Sequence, residues 1–467
     1  MALSPNLIVA DMVLSHARVI IPLLRKLDDI EPMDKGVQLE FISGQAVFPN
    51  GTRPVTIAIE DGLIKYVEDA GHDEQDAGLI FPGFVDIHVH AREYPRPADN
   101  NPSALAQWEA VCRKETFSSA GKAAINGGVT LFAAMPNDPS PPDGPQSYAR
   151  KLELTSSSPC PVILFAAVTE RSDPWTDIPY KVYLDPRPSP ISFCAWRDLK
   201  NTVARYGGCR VFFHAEDPEF IEKLGTGGPR WKIRPPQAEI RAVDQILELT
   251  ARHGLYSHIC HVSTQRTVEL IADYNRNSSL PVTCEATPHH IFFNISEAGV
   301  FGGGRKLDLP PELLDSNPPL RTEPDRLFML DALKYGLVDV LASDHAPHTM
   351  EDKKNGAPGI PHLDTLGPFV GWLIKECNFS PSRICEILSA TPGRIMSRDV
   401  DQPRGSIEKG FSASFTVMDL SHSSVVEDAE IRGRGHLQTR CSWSPFSGIS
   451  LPAIVTSTVV NGREYTF

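Results

Sequence analysis

Phe81-Pro82-Gly83-Phe84-Val85-Asp86-Ile87-His88-Val89-His90 is an apolar run that ends in two histidines, and its pattern recurs along the chain. The alternate spacing of His88 and His90 puts both imidazoles on one face of an extended strand. Further apolar runs closing on polar residues follow at Thr130–Asn137, Pro161–Thr169, Lys181–Leu184, Arg210–Glu216, Tyr256–Ser263, Pro281–His290 and Asp339–His348. Helix-like stretches separate most of them, at Ser103–Asn126, Ser192–Tyr206, Gln237–His253 and Thr264–Asn275. Eight buried strands alternating with helices indicate an α/β chain folded as a (β/α)8 TIM barrel. A doubly wound sheet is the alternative, but eight strands with no Gly-rich nucleotide loop would be unusual for it.

Short strands are also expected at Leu39–Ser43, Thr56–Glu60 and Leu63–Val67, with turns at Pro49-Asn50-Gly51 and Glu60-Asp61-Gly62. Similar text returns at Phe415–Met418, Ile454–Val460 and Glu464–Phe467. A small β-sandwich built from both chain ends, 37–80 and 395–467, is therefore expected around a barrel of 81–394. Residues 1–36 read as an amphipathic helical extension, because Asp11, Arg18, Arg25 and Lys26 break their apolar stretches.

The 467 residues suffice for one large barrel with a minor appended domain. Lys plus Arg total 45 against 58 Asp plus Glu, and the resulting charge of -13 repels phosphate backbones. Nucleic acid is thus not an expected partner, whereas an anionic small molecule remains admissible if a local arginine dominates its pocket. Nine cysteines stand singly, with no CxxC pair, which suggests reduced thiols and a cytoplasmic setting. No apolar run approaches the roughly 18 residues of a membrane span, and no small-residue cleavage site follows an apolar segment. A soluble enzyme is expected, with a homodimer as its candidate association state.

Four of the expected strands finish in side chains that bind metals, and a fifth carries a lysine. They end in His88-Val89-His90, His214-Ala215-Glu216, Cys260-His261-Val262 and Ser343-Asp344-His345, and Lys181 lies on the fourth strand. Barrel enzymes place their active sites at the carboxyl ends of strands. Imidazole and carboxylate donors suit zinc, and coordination positions left for water make such a site catalytic. One buried histidine is more often a core residue than a ligand. Five candidate ligands at the ends of four strands are not explained that way.

The chain resembles the amidohydrolase superfamily and, within it, the dihydroorotases of the carboxylated-lysine branch. The resemblance spans Leu39 to Phe467 and rests on motifs in the family's order: Asp86-Ile87-His88-Val89-His90-Ala91-Arg92-Glu93, Met135-Pro136-Asn137, Lys181-Val182-Tyr183-Leu184, Ile259-Cys260-His261-Val262-Ser263, Thr287-Pro288-His289-His290, Asn317-Pro318-Pro319-Leu320-Arg321 and Ser343-Asp344-His345-Ala346-Pro347-His348. It implies that His88, His90 and Asp344 hold one zinc ion, His214 and His261 a second, and that Lys181 bridges them as a carbamate. The two metals would share a hydroxide whose proton Asp344 takes and returns to the leaving ring nitrogen. The same site would open and close the ring, interconverting N-carbamoyl-L-aspartate and (S)-dihydroorotate in pyrimidine synthesis.

Arg92 can grip a carboxylate bidentately, and the resemblance adds Asn137 and His348 as further carboxylate contacts and Asn317 as a contact to the ring. Read alone, Arg92 could instead pair with Glu93, and Asn137 could be a turn residue. Thr349–Gly359 reads as a mobile loop beside the pocket. Cys260 and Glu285 read as buried structural residues, a third zinc site being the alternative. The chain departs from the family at Tyr94-Pro95 and the longer Arg96–Gln107, at His362 where glycine is usual, and at Ala413-Ser414. An allantoinase, a hydantoinase or dihydropyrimidinase, and a scaffold relative without activity are the competing functions. Arg92 and His348 count against neutral-ring substrates, and the intact ligand set counts against a scaffold.

Overall fold

The computed structural model describes residues 36–70, 78–98, 101–225, 227–427, 430–431 and 435–466. The expected helix over residues 1–36 lies, but for its last residue, outside them.

Eight parallel strands form the barrel: Phe84–Val89, Val129–Ala134, a third in two pieces at Val162–Leu164 and Ala166–Ala167, then Tyr180–Leu184, Arg210–His214, Tyr256–Ile259, Thr283–Ala286 and Val340–Leu341. Each pairs with the next. The ring closes where Val89 bridges His345 in parallel and His90 N–H donates to the His345 carbonyl at 2.8 Å. Each strand begins within a few residues of the position read from the sequence, because a strand buried on both faces shows as a continuous apolar run.

The connections depart from expectation in two places. Ser103–Asn126 is two helices, Pro102–Cys112 and Phe117–Asn126. Thr116 starts the second as a capping residue, its hydroxyl accepting from Ser119 N–H at 3.2 Å. Ser192–Tyr206 opens as a strand pair, Ser192–Phe193, before the helix Trp196–Val203. Pro236–His253 and Gln265–Asn277 are helical as read.

An eight-stranded sheet draws on both chain ends, in the order Val37–Gln38, Arg463–Thr466, Ile454–Val460, Phe415–Asp419, Leu79–Pro82, Phe41–Phe48, Gly51–Glu60 and Leu63–Asp69. Ala46, Val55, Ile57, Ile80, Phe415 and Val459 form its buried face. The turn at Asp61-Gly62 has φ of 52° and 75°, the pair of left-handed residues that a two-residue hairpin of this twist requires. Thr416 ties the sheet to the barrel: its hydroxyl accepts from Phe84 N–H at 3.1 Å and donates to the Gly128 carbonyl at 2.6 Å. All nine cysteines are free thiols. Among the described residues no helix is long and apolar enough to cross a membrane.

Candidate active site

Barrel closure gathers the titratable side chains at the carboxyl ends of the strands. His88 and His90 share a face of the first strand, their ring centroids 5.3 Å apart. Asp344, after the eighth strand, places Oδ1 3.3 Å from His88 Nε2 and 3.1 Å from His90 Nε2. The donor atoms of these three buried residues lie within 4.8 Å of one another. His261, beyond the sixth strand, sits 5.3 Å from the His88 ring and 4.8 Å from that of His214. His214 Nδ1 and His261 Nε2 approach to 3.0 Å.

Lys181 is fully buried on the fourth strand, between Tyr180 and Val182 of the hydrophobic core. Its Nζ donates to Cys260 Sγ at 2.8 Å. A thiol is a weak acceptor, and a buried ammonium facing one is poorly satisfied.

Buried acceptors orient the imidazoles. Glu285 accepts from His88 Nδ1, and also from His258 Nε2 at 3.1 Å and His261 N–H at 3.2 Å. Asn137 Oδ1 is 2.6 Å from His90 Nδ1. Glu216 lies 3.3 Å from His214 Nε2 and pairs with Arg234. For His88 and His90, a partner on Nδ1 leaves Nε2 aimed into the cluster, the usual arrangement around a bound metal. Burial alone would lower the pKa of His88, but Glu285 and Asp344 lift it to about 10, so this spot draws positive charge. Burial holds His90 down at about 4 and His261 well below the usual range, leaving neutral imidazoles able to act as ligands. The donor set fits zinc. His88, Cys260 and Glu285 also converge within 4.8 Å. Cys260 is engaged there by Lys181, and Glu285 by His88 and His258.

Arg92, His261 and Asp344 all have positive φ, at 63°, 38° and 44°. Such a conformation costs a non-glycine residue about 1–3 kcal/mol and recurs at active sites, where it aims a side chain. Nothing in the sequence marks these positions for it.

One wall of the cluster is cationic. Arg92 Nη2 meets His348 Nε2 at 3.1 Å, while its buried Nε has no partner. Glu93 is not that partner, since its carboxylate accepts from Phe117 N–H at 2.9 Å. Burial, followed by the nearby Arg92, Lys114 and Lys353, holds His348 far below the usual histidine range, so it is neutral. Asn317 Oδ1 accepts from Arg230 Nη1 at 2.9 Å. His362 stacks on His289, with their facing nitrogens 3.1 Å apart.

Residues 349–359, read from the sequence as a mobile loop, contain a helical turn and a buried lysine. Met350–Lys354 is a helical turn capped by Thr349, and Lys353 is fully buried. The Lys353 ammonium donates to the carbonyls of Asp315, Ala357 and Gly359 at 3.0, 3.0 and 2.9 Å. Three backbone acceptors compensate its desolvation. Lys114, Arg230 and Arg234 also flank the site, Arg234 paired with the strand-end Glu216. The spacing of these three cations carries no signal, because they lie in connections between strands rather than at strand ends.

No family model matches the chain. A dihydroorotase of Thermococcus kodakarensis is 30% identical over 438 residues, 90% of this chain and 93% of the relative. Dihydroorotases of Archaeoglobus fulgidus and Brevibacillus brevis are each 29% identical, over 87% and 88% of this chain and 92% and 94% of theirs. Among solved structures, the L-hydantoinase (dihydropyrimidinase) of Arthrobacter aurescens superposes with a TM-score of 0.74 at 20% identity, covering 90% of this chain and 94% of that one. The dihydropyrimidinase of Brevibacillus agri NCHU1002 gives 0.71 at 19%, covering 91% and 94%. At that identity the two structures speak for the shared barrel fold alone. Identity of 30% sustained over nearly the whole length of both chains goes further, and places this chain in the dihydroorotase family of amidohydrolases.

Proposed function

We propose that the chain is a dihydroorotase, interconverting N-carbamoyl-L-aspartate and (S)-dihydroorotate in pyrimidine synthesis. The observation that carries this reading is Arg92, whose buried Nε lacks an acceptor beside the histidine–aspartate cluster. A ring carboxylate supplies that acceptor, and a neutral ring does not.

His88, His90 and Asp344 would hold one zinc ion and His214 and His261 the other, with Lys181, carboxylated by carbon dioxide, as the bridge. Bound zinc supplies an acidified water and a polarised amide carbonyl. Asp344 takes the proton of the attacking water and delivers it to the departing ring nitrogen. In the reverse direction the same carboxylate removes the nitrogen proton as the ring closes. Arg92 and His348 hold the carboxylate, Asn137 steadies His90 while offering its amide N–H, and Asn317 addresses the ring. The nine free thiols fit a cytoplasmic enzyme, and light scattering would test the proposed homodimer.

A substrate panel on zinc-loaded protein tests the assignment. Dihydroorotate and carbamoyl aspartate are expected to turn over well, with dihydrouracil, hydantoin and allantoin slow. Preference for a neutral ring would transfer the chain to the hydantoinase or allantoinase alternative. Metal analysis tests the site separately. Protein made with ample zinc and bicarbonate should carry close to two metals per chain, and Lys181→Ala should lose both metal and activity. One metal or fewer in the parent would count against the bridged pair.

A further inference from the structure

The carboxylate wall holds one cation more than the family resemblance supplies. Lys114 lies in the turn between the helices Pro102–Cys112 and Phe117–Asn126, its side chain 20% exposed. Its Nζ is 3.4 Å from His348 Nδ1. On the other side of the same imidazole, Arg92 Nη2 is 3.1 Å from Nε2.

Lysine and arginine only donate, and a neutral imidazole offers a single acceptor nitrogen. His348 therefore satisfies one of its cationic neighbours and leaves the other facing an N–H. Arg92 Nε is buried without a partner as well. The anion in contact with Lys114 is Asp352, whose Oδ1 lies 3.3 Å from Lys114 Nζ. Its other oxygen is committed to Thr349, accepting from N–H at 3.0 Å and from the hydroxyl at 2.8 Å. Two cations thus flank one imidazole that can accept from only one of them, and the buried Arg92 Nε adds a further unmet donor, so this wall has more donors than acceptors and lacks an anion.

We propose that Lys114 is a specificity-determining residue, forming with Arg92 a two-armed clamp for the ring carboxylate, and that Asp352 is the anion this carboxylate displaces. The proposal rests on the dihydroorotase reading, which supplies the carboxylate. On entry the substrate replaces Asp352 at the Lys114 ammonium and meets the unsatisfied Arg92 N–H, so it exchanges one ion pair for two.

The competing role for Lys114 is a surface ion pair that pins Asp352 and its helical turn. The two roles differ in sign. A pin makes Lys114→Met and Asp352→Asn equivalent, both weakening binding of every ring. A clamp makes them opposite for an anionic ring, because Asp352→Asn removes a competitor.

The test is initial-rate kinetics of the zinc-loaded parent, Lys114→Met, Lys114→Arg and Asp352→Asn with dihydroorotate and dihydrouracil. For Lys114→Met, KM for dihydroorotate should rise about tenfold, the loss expected for one charge-assisted hydrogen bond. Its kcat should barely change, as should its KM for dihydrouracil. Lys114→Arg should recover most of the loss, and Asp352→Asn should lower KM for dihydroorotate. A rise in KM for both Lys114→Met and Asp352→Asn, or equal losses on both rings, overturns the clamp. If circular dichroism shows Lys114→Met unfolded, the sign of the Asp352→Asn effect alone decides. A parent that converts no carboxylated ring refutes the dihydroorotase reading and the clamp with it. A parent that does so, with KM indifferent to Lys114, refutes the clamp alone.

Discussion

Asp344→Asn is expected to lower turnover by about 10²–10⁴-fold, toward the upper end, while the circular dichroism spectrum stays that of the parent. The carboxylate sits after the eighth strand in a left-handed conformation, with Oδ1 3.3 Å from His88 and 3.1 Å from His90. Burial pushes its pKa up, but His88, His90 and His261 outweigh that and hold it well below the usual carboxylate range. Asp344 is thus a carboxylate at any working pH, free to accept a proton. Asparagine keeps the shape and can still donate to or accept from its neighbours, so the packing of a residue only 6% exposed is preserved. It cannot take a proton from water and pass it to nitrogen. Since Asp344 is also a metal-ligand candidate, elemental analysis should accompany the kinetics, to separate lost metal from lost proton transfer. Near-normal turnover with an unchanged spectrum would remove Asp344 from the mechanism.

The barrel and the candidate ligands were readable in the chain for one physical reason. Strands buried on both faces are apolar throughout, so a histidine, lysine or aspartate at the end of such a run stands out. His88, His90, His214, His261 and Asp344 were visible that way, Lys181 stood out as the one charge within an apolar strand, and barrel closure at Val89–His345 brings these candidates together. What lay hidden depends on contacts between loops. Asn137 reads as a turn or as a substrate contact, and only the fold shows its Oδ1 against His90 Nδ1. Lys353 looks like one charge in a mobile loop until three carbonyls are seen to converge on it. Lys114 lies within a stretch expected to be one helix. The break before Thr116 leaves it in the turn from which its ammonium reaches His348.

Arg92→Ala is expected to lower kcat/KM for dihydroorotate by about 10²–10³-fold or more, and this is the prediction on which the substrate assignment depends. A ring carboxylate entering this wall leaves water behind, and a buried anion without a partner is costly. The Arg92 guanidinium offsets that cost through charge-assisted hydrogen bonds. Its Nε is already buried without an acceptor, so its desolvation is met before substrate arrives. Removing one member of a buried charged pair costs about 3–5 kcal/mol, which converts to the loss stated. Arg92→Lys should recover only part of the activity, because an ammonium cannot fork onto both oxygens. The positive φ of 63° at Arg92 is a property of the backbone there and is shared by every variant, so it does not distinguish them. Dihydrouracil provides the control. It should be a poor substrate for the parent, and Arg92→Ala should leave its kcat/KM nearly where it was, since no carboxylate has lost a partner. Equal losses on the charged and the neutral ring would instead make Arg92 a support for His348, 3.1 Å away, and the dihydroorotate assignment would lose the residue that carries it.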